Sequence, residues 1–372
     1  MFSLKLGPRL PSLDGMRAIS ILLVVTFHLF GENLGRFAII GNLGVRIFFV
    51  ISGYLITHLL LKELTSTGGI DLKRFYKRRA LRIFPAFYTF LLAMVMAWAL
   101  GWIPARATDY IRGATYVINY FPGATQTVYV RHLWSLAVEE QFYLIWPATL
   151  MLLGRKWGIA AAGSILIVSP LCRVVYYLFI PSIEPVINSR FETVADALAT
   201  GCVLAAVLGT LSTHEVLRRL LYSKAFLLVP ALLLAVAVLG SAHPRFYYGA
   251  GITVINVGIA LCIARWVTQS SDVAGKLLNL PPLRVLGVLS YSVYLWQQPF
   301  FMENGASRLQ HLPWSVVCVV LFSCCSFFLI EQPMMKKKLS QSLKVLPENQ
   351  EQSRHPYRPE EGEPVSPHSG AA

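Results

Sequence analysis

The sequence predicts an all-α polytopic membrane protein, a bundle of about ten transmembrane helices with a disordered C-terminal tail. Of its 372 residues, 55% are hydrophobic and only 14% are charged, against roughly 25% charged in an ordinary soluble domain. The apolar residues also fall into stretches of about 20, the length that crosses a bilayer as a helix. These observations exclude an average water-soluble globule and favour one membrane body over several soluble domains.

Ten stretches are long and apolar enough to be predicted as spanning helices. In chain order they cover approximately residues 16–34, 43–61, 84–103, 133–153, 158–178, 193–210, 225–242, 247–266, 285–303 and 313–332. The intervening segment 104–131 is also compatible with an interfacial or re-entrant helix. We therefore expect ten or eleven membrane helices in one domain over residues 1–338.

The positive charge of the chain predicts its orientation. Lys and Arg outnumber Asp and Glu by 33 to 19, for a formal net charge of +14. When they are sorted into alternate loops, most lie on the side of the two termini, and cytoplasmic loops retain positive charge. Both termini are thus predicted to be cytoplasmic. Because the charge is spread over loops instead of filling one groove with aromatic residues, we expect no nucleic-acid partner.

The remaining composition predicts no further folded domain. Residues 339–372 are polar and rich in Pro and Glu, too poor in apolar side chains to order a core, and are expected to form a disordered cytoplasmic tail. The N-terminus shows no small-residue cleavage site, so the first apolar run is expected to be retained as a helix. The six cysteines lie in apolar runs without paired spacing and are interpreted as core residues.

Ionisable residues inside apolar spans are costly and are therefore candidates for function. In the first span, Arg17 and His28 are eleven residues apart, which puts both on one helix face, about 16 Å apart along the axis. If Arg17 lies at the cytoplasmic boundary, His28 lies near mid-membrane, where a neutral imidazole can act as a general base. A histidine satisfied by a neighbouring helix fits the same pattern.

The second span contains a small polar sequence, Ser52-Gly53-Tyr54, within an apolar run. Gly53 is expected to permit close helix packing. Ser52 and Tyr54 are candidate substrate-binding residues, although a tyrosine here is equally compatible with packing.

A basic segment precedes and enters the third span. Arg78 and Arg82 are i,i+4 neighbours, and Arg79 and Arg82 are i,i+3 neighbours, so a helix would gather the three into a guanidinium cluster at the cytoplasmic mouth. Guanidinium groups match phosphate oxygens bidentately. An anchor for lipid headgroups accounts for the other basic residues of 73–77 but explains less well why arginines continue into the apolar helix.

The fourth span begins with His132, Trp134 and two adjacent carboxylates, Glu139 and Glu140. Adjacent side chains point about 100° apart on a helix, so we expect one of the two to face a cavity, on the outer side of the membrane. Carboxylates favoured by the helix dipole are the alternative interpretation. Trp134 is a further candidate substrate-binding residue.

Five segments together resemble the integral-membrane acyltransferase family 3, the O-acyltransferases that modify bacterial polysaccharides and some small molecules. They are Arg17 with His28, Phe48 to Tyr54 (FFVISGY), Arg78 to Arg82 (RRALR), Trp134 to Tyr143 (WSLAVEEQFY) and Ser290 to Trp296 (SYSVYLW). They occur in the family's order over about residues 10–335. Each motif alone is weak evidence for the family, whereas five motifs in the family's order are specific evidence.

The resemblance implies a bundle of roughly ten helices that passes an acyl group, usually acetyl, from cytoplasmic acyl-coenzyme A to a hydroxyl. It implies that His28 is the essential histidine with Arg17 beside it, and that the arginines 78, 79 and 82 lie near the coenzyme A phosphates. On chemical grounds, Glu139 or Glu140 would hold acceptor hydroxyls on the outer side, which makes them candidate catalytic residues together with His28 and Arg17, and no metal is expected. The family often has His after Tyr-Leu-Trp, but this chain has Gln297, which argues against a titrating role there.

On this resemblance, the expected acceptor is a surface or exported carbohydrate, such as a precursor of a polysaccharide, lipopolysaccharide or exopolysaccharide. A small molecule such as a macrolide, or a lipid-linked sugar, is the alternative acceptor. A transporter or flippase is the alternative of another class, because buried Arg, His and Glu also build proton relays. The expected location is the bacterial inner membrane.

Overall fold

The structure is a computed structural model, and it describes residues 10, 12–121, 127–301 and 307–336. These residues are helical almost throughout and contain no β-strand. The α-helices are α1 (Leu13–Phe30), α2 (Ile40–Thr67), α3 (Leu72–Ala99), α4 (Ala107–Ala114), α5 (Leu133–Phe179), α6 (Phe191–Thr213), α7 (Glu215–Tyr222), α8 (Val229–Ser241), α9 (Pro244–Phe246), α10 (Ile252–Thr268), α11 (Val273–Leu278), α12 (Pro281–Gln297) and α13 (Trp314–Ser326). The predicted all-α membrane class is confirmed. The predicted tail, 339–372, lies outside the described residues.

The predicted spans correspond to helices of the structure. Eight stretches of the described chain have the length and composition of a membrane-crossing helix. One of them, Val128–Phe179, bends at Gly154, where φ is 68°, and so accounts for both the fourth and the fifth predicted spans. The ninth predicted span is α12, which has 17 residues and packs against α1. The prediction of about ten helices is therefore in accord with the structure.

The third span begins twelve residues earlier than predicted, at Leu72 instead of residue 84. The Asp71 side chain caps it by accepting a hydrogen bond of 2.8 Å from the backbone N–H of Arg74, as acidic N-caps commonly do. The basic segment is thus the first three turns of α3, so its side chains have fixed helical directions. In its described part, the segment 104–131 contains one short α-helix, α4, and two 3-10 helical turns, Ile118–Tyr120 and Val128–Val130.

Helix α2 lies at the centre of the bundle and packs against α1 and α6. A Cβ atom added at Gly53 would lie 1.9 Å from the carbonyl oxygen of Leu198, and one added at Gly201 would lie 2.2 Å from that of Val50. The backbones of α2 and α6 are therefore in direct contact at paired glycines, the usual basis of close packing in membranes. This confirms the packing role predicted for Gly53.

Substitution of Gly53 by alanine is expected to destabilise the bundle, because the added methyl group would overlap the backbone of α6 at Leu198. Overpacking of this kind costs about 1–3 kcal/mol, which would appear as a lower unfolding temperature of the purified protein in detergent. Gly163→Ala is the matched control, since an added Cβ there meets no atom within 4 Å. Equal unfolding temperatures for the two variants would contradict the contact.

One buried charge pair holds α5 against α6. The Nη1 atom of Arg173 lies 2.9 Å from Oδ2 of Asp196, and both side chains are fully buried. The same guanidinium also donates to the backbone carbonyls of Thr193 and Tyr248, at 2.6 and 3.0 Å. Because these partners lie within the bundle and away from the cavities described below, we interpret this pair as structural.

Candidate active site

Two cavities meet beside α1. The first, which we call the arginine cavity, has a volume of about 460 Å³ and is lined by Arg17, Arg79 and Arg82. The second, the histidine cavity, has a volume of about 670 Å³ and is lined by His28 at the other end of α1. Val45 and Tyr294 line both cavities. A path from the arginines to the histidine therefore passes these two side chains.

The arginine cavity collects positive charge from two helices. Arg17 comes from α1, and Arg79 and Arg82 come from α3, where a spacing of three residues puts both on one face. The Arg79 guanidinium lies 3.5 Å from the centre of the Tyr143 ring, within cation–π range. The Nε atoms of Arg17 and Arg79 are buried and have no hydrogen-bond partner in the part of the chain that the structure describes. The cavity thus offers buried N–H donors to an anion.

The structure separates Arg78 from the other two arginines of its segment. Arg78 does not line the arginine cavity, and its Nη2 atom lies 3.7 Å from Oε2 of Glu63 on α2. Adjacent residues of a helix point about 100° apart, so Arg78 turns away when Arg79 turns inward. The three arginines predicted as one cluster are therefore a pair in the cavity and a third arginine beside it.

Both adjacent carboxylates of α5, Glu139 and Glu140, line the arginine cavity. The expectation that only one of them would face a cavity is therefore wrong. Their placement on the outer side of the membrane stays a prediction, although they share this cavity with the arginines predicted for the cytoplasmic mouth. Both residues lie about two turns inside α5, and side chains about 100° apart can both border a cavity that is lined by several helices. Ser52 of α2 donates a hydrogen bond of 2.6 Å from Oγ to Oε1 of Glu139, which connects a predicted substrate-binding residue to the carboxylate.

Glu331 is a candidate residue that sequence reasoning missed. It lies in a π-helical turn, Phe327–Glu331, that follows α13, is only 6% exposed, and lines the arginine cavity. Its Oε1 atom accepts a hydrogen bond from the Ser292 hydroxyl of α12. Turns of this kind are frequent at functional sites. The signal was present in the sequence, because Glu331 is a lone carboxylate at the end of the last apolar span and meets the criterion that singled out Glu139.

His28 occupies the last turn of α1 and faces the histidine cavity. Its Nδ1 atom lies 2.9 Å from the carbonyl oxygen of Val24. Because a carbonyl oxygen only accepts, Nδ1 must carry the proton of the neutral ring, and Nε2 then carries the basic lone pair. Arg17 lines the arginine cavity instead. The placement of Arg17 beside His28, which the family resemblance implied, is therefore wrong. Three helical turns put the two side chains on one face but too far apart to touch.

Two predicted substrate-binding residues fall in different surroundings. Trp134 lines the histidine cavity, with its ring edge-on to that of Phe49 at a centroid distance of 6.0 Å. Tyr54 lines neither cavity; it is buried, and its ring stacks on that of His58 at 5.8 Å. The structure therefore favours the packing interpretation for Tyr54.

The Tyr294 side chain, which lines both cavities, is held by hydrogen bonds. The Tyr294 hydroxyl donates to the backbone carbonyl of His132 at 2.9 Å and lies 2.5 Å from the Ser135 hydroxyl. The His132 ring is buried at the histidine cavity, with centroids 5.5 Å from the rings of both Phe90 and Tyr294. Gln297, where the family often has histidine, is buried and lines neither cavity.

The fold and the site define a helical membrane protein in which the arginine cavity meets the histidine cavity. Comparison with known proteins assigns its family. Residues 10–332 match the family model of the acyltransferase domain. The chain therefore belongs to the membrane acyltransferase family 3, as its motifs predicted. With its membrane-capable helices, it is a multi-pass integral membrane protein.

The relatives of this chain are longer bacterial proteins. YrhL of Bacillus subtilis, whose name assigns it provisionally to the peptidoglycan O-acetyltransferases, is 33% identical over 87% of this chain and 55% of its own length. The O-acetyltransferase OatA of Staphylococcus aureus is 31% identical over 89% of this chain and 58% of its own. The peptidoglycan O-acetyltransferase OatA of Listeria monocytogenes is 30% identical over 88% and 56%. The chain thus spans little more than half the length of these relatives, and no solved structure matches it.

Proposed function

We propose that this chain is a membrane O-acetyltransferase that passes an acetyl group from cytoplasmic acetyl-coenzyme A to a hydroxyl of a cell-envelope carbohydrate. The observation that carries the proposal is the junction of the arginine cavity with the histidine cavity at Val45 and Tyr294. The arginine cavity suits an anionic donor, and the histidine cavity contains a candidate base. The family and the names of the relatives support acetyl transfer and a glycan acceptor.

The arginine cavity has the chemistry that a coenzyme A donor requires. Coenzyme A carries several phosphates, and guanidinium groups give them short, charge-assisted hydrogen bonds. Arg79 and Arg82 lie in the part of α3 that enters the bundle from the predicted cytoplasmic side. The pantetheine arm of coenzyme A is long and thin, so it can extend past Tyr294 and carry the thioester toward His28.

In the histidine cavity, His28 acts as the general base. Its Nε2 atom removes the proton of the acceptor hydroxyl while the hydroxyl oxygen attacks the thioester carbonyl carbon. A C–O bond forms, the C–S bond breaks, and coenzyme A leaves as a thiolate that takes up the proton from the imidazolium. Trp134 offers an aromatic face of the kind on which a sugar ring can pack.

The test is acetyl transfer by the purified protein in detergent. With acetyl-coenzyme A labelled in the acetyl group and a peptidoglycan fragment as the acceptor, we expect protein-dependent release of coenzyme A and label on the glycan. Label on a small hydroxylated molecule but not on glycan would assign the alternative acceptor class. Movement of substrate across vesicles without acetyl consumption would overturn the proposal in favour of a transporter.

A further inference from the structure

A third cavity adjoins the arginine cavity at the start of α1. Its volume is about 480 Å³, and we call it the α11 cavity. Its lining includes Ser12 and Asp14 at the start of α1, Ser270, Lys276 and Asn279 around α11, and Arg284 of α12. Asp14 lines the arginine cavity as well. The α11 cavity therefore continues the arginine cavity on the side away from His28.

The lining of the α11 cavity carries more positive than negative charge, because Lys276 and Arg284 stand against one carboxylate, that of Asp14. Lys276 lies in the last turn of α11 and Arg284 in the first turn of α12, and both are exposed. Neither forms an ion pair with a residue in the described parts of the chain. Two hydroxyls, those of Ser12 and Ser270, add possible donors. The charge and the hydroxyls suit a phosphate-bearing ligand.

The wall that carries these groups is held rigidly against α1. The Asn279 side chain donates to the Ser12 hydroxyl at 2.9 Å and accepts from the Ser12 backbone N–H at 3.0 Å. A Cβ added at Gly15 would lie 2.0 Å from the carbonyl oxygen of Leu278, so the two backbones touch. Asp272 caps α11 by accepting from the Gly275 N–H at 2.6 Å. Lys276 and Arg284 are thus presented from a preformed surface, which lowers the cost of binding.

The length of the donor favours a site beyond the arginine cavity. A volume of about 460 Å³ lies within the range of pockets for ordinary small ligands, and the thioester must point from it toward His28. The adenosine of coenzyme A stands at the opposite end of the molecule and bears a separate 3′-phosphate. It must therefore lie on the side of the arginine cavity that faces away from His28, which is where the α11 cavity opens.

We propose that the α11 cavity binds the adenosine 3′-phosphate end of the donor, with Lys276 and Arg284 as its phosphate ligands. This inference rests on the proposed function and divides the donor between two sites. Arg79 and Arg82 face the pyrophosphate, and Lys276 and Arg284 face the 3′-phosphate.

The test compares donors that keep or lack the nucleotide. We expect the double substitution Lys276→Gln and Arg284→Gln to raise the KM for acetyl-coenzyme A about tenfold or more, the size of effect expected for charge-assisted hydrogen bonds. The KM for S-acetylpantetheine, which has no nucleotide, should stay unchanged, and acetyl-3′-dephospho-coenzyme A should show a smaller loss than acetyl-coenzyme A. Lys224→Gln, on the same predicted face but outside the three cavities, is the matched control.

The outcomes separate this site from the proposed function. If the wild-type protein turns over acetyl-coenzyme A and the double variant has the same KM, the α11 site is overturned and the function stands. Equal losses with S-acetylpantetheine would also overturn the site, because they would indicate general damage. If the wild-type protein releases no coenzyme A from acetyl-coenzyme A, the proposed function itself fails.

Discussion

His28→Ala is expected to reduce protein-dependent acetyl transfer to background. His28 faces the histidine cavity. Its Nδ1 atom forms a hydrogen bond with the Val24 carbonyl oxygen, so Nε2 is the basic nitrogen of the neutral ring. General-base catalysis contributes about 10²- to 10⁴-fold to rates, so removal of the base should lower kcat by at least that factor. The measurement is coenzyme A release from labelled acetyl-coenzyme A by the purified variant, at equal protein and with an unchanged unfolding temperature.

Substitutions of two other histidines serve as controls for the His28 prediction. His58 lies on α2 outside both cavities and stacks on Tyr54, so His58→Ala should retain most of the activity. His132 lines the same cavity as His28, so His132→Ala tests which imidazole is the base. Loss of activity in the His132 variant, with activity retained in the His28 variant, would reverse the assignment.

Arg82→Gln is expected to raise the KM for the acetyl donor roughly 10- to 100-fold and to leave the KM for the acceptor unchanged. The range follows from the loss of hydrogen bonds to a charged group, about 1.5–3 kcal/mol. Arg82 lines the arginine cavity but not the histidine cavity, where the acceptor hydroxyl is proposed to bind. Initial rates measured over both substrate concentrations give the two KM values.

Arg78→Gln is the matched control for Arg82→Gln, because it removes the same charge from the same helix segment. Arg78 pairs with Glu63 and does not line the cavity, so its loss should change the donor KM by much less. Equal effects of the two substitutions would show that the arginines act only through the general charge of this face. Equal effects of Arg82→Gln on donor and acceptor would argue against a donor site in the arginine cavity.

Much of the fold could be predicted from the sequence because a spanning helix is a property of a single stretch of chain. Length and apolar composition located the helices to within several residues at most boundaries. The largest error was the start of α3, at Leu72 instead of residue 84. A basic segment is unfavourable in a bilayer and so looks like a loop, but Asp71 caps it and helix geometry continues through it. The cytoplasmic orientation of the termini stays a prediction.

The candidate site was only partly predictable, because it is formed by contacts between helices. Sequence alone identified Arg17, His28, Glu139 and the arginine segment as charges that apolar helices should not carry. The family resemblance implied that Arg17 lies beside His28, and the predicted topology assigned the carboxylates to the outer side. In the structure, Arg17 and both carboxylates lie together with Arg79 and Arg82.

By itself, the sequence determined the membrane class, the approximate helices, the family and the small set of residues in which chemistry is expected. These are one-dimensional properties, set by the length of apolar stretches and by the order of motifs. Only the tertiary structure decided how the charges are grouped. Backbone contact at Gly53 and Gly201 sets the approach of α2 to α6, and the rotation of α3 turns Arg79 inward and Arg78 toward Glu63. Such rotations and approaches depend on the packing of many helices at once, which no single stretch of sequence encodes.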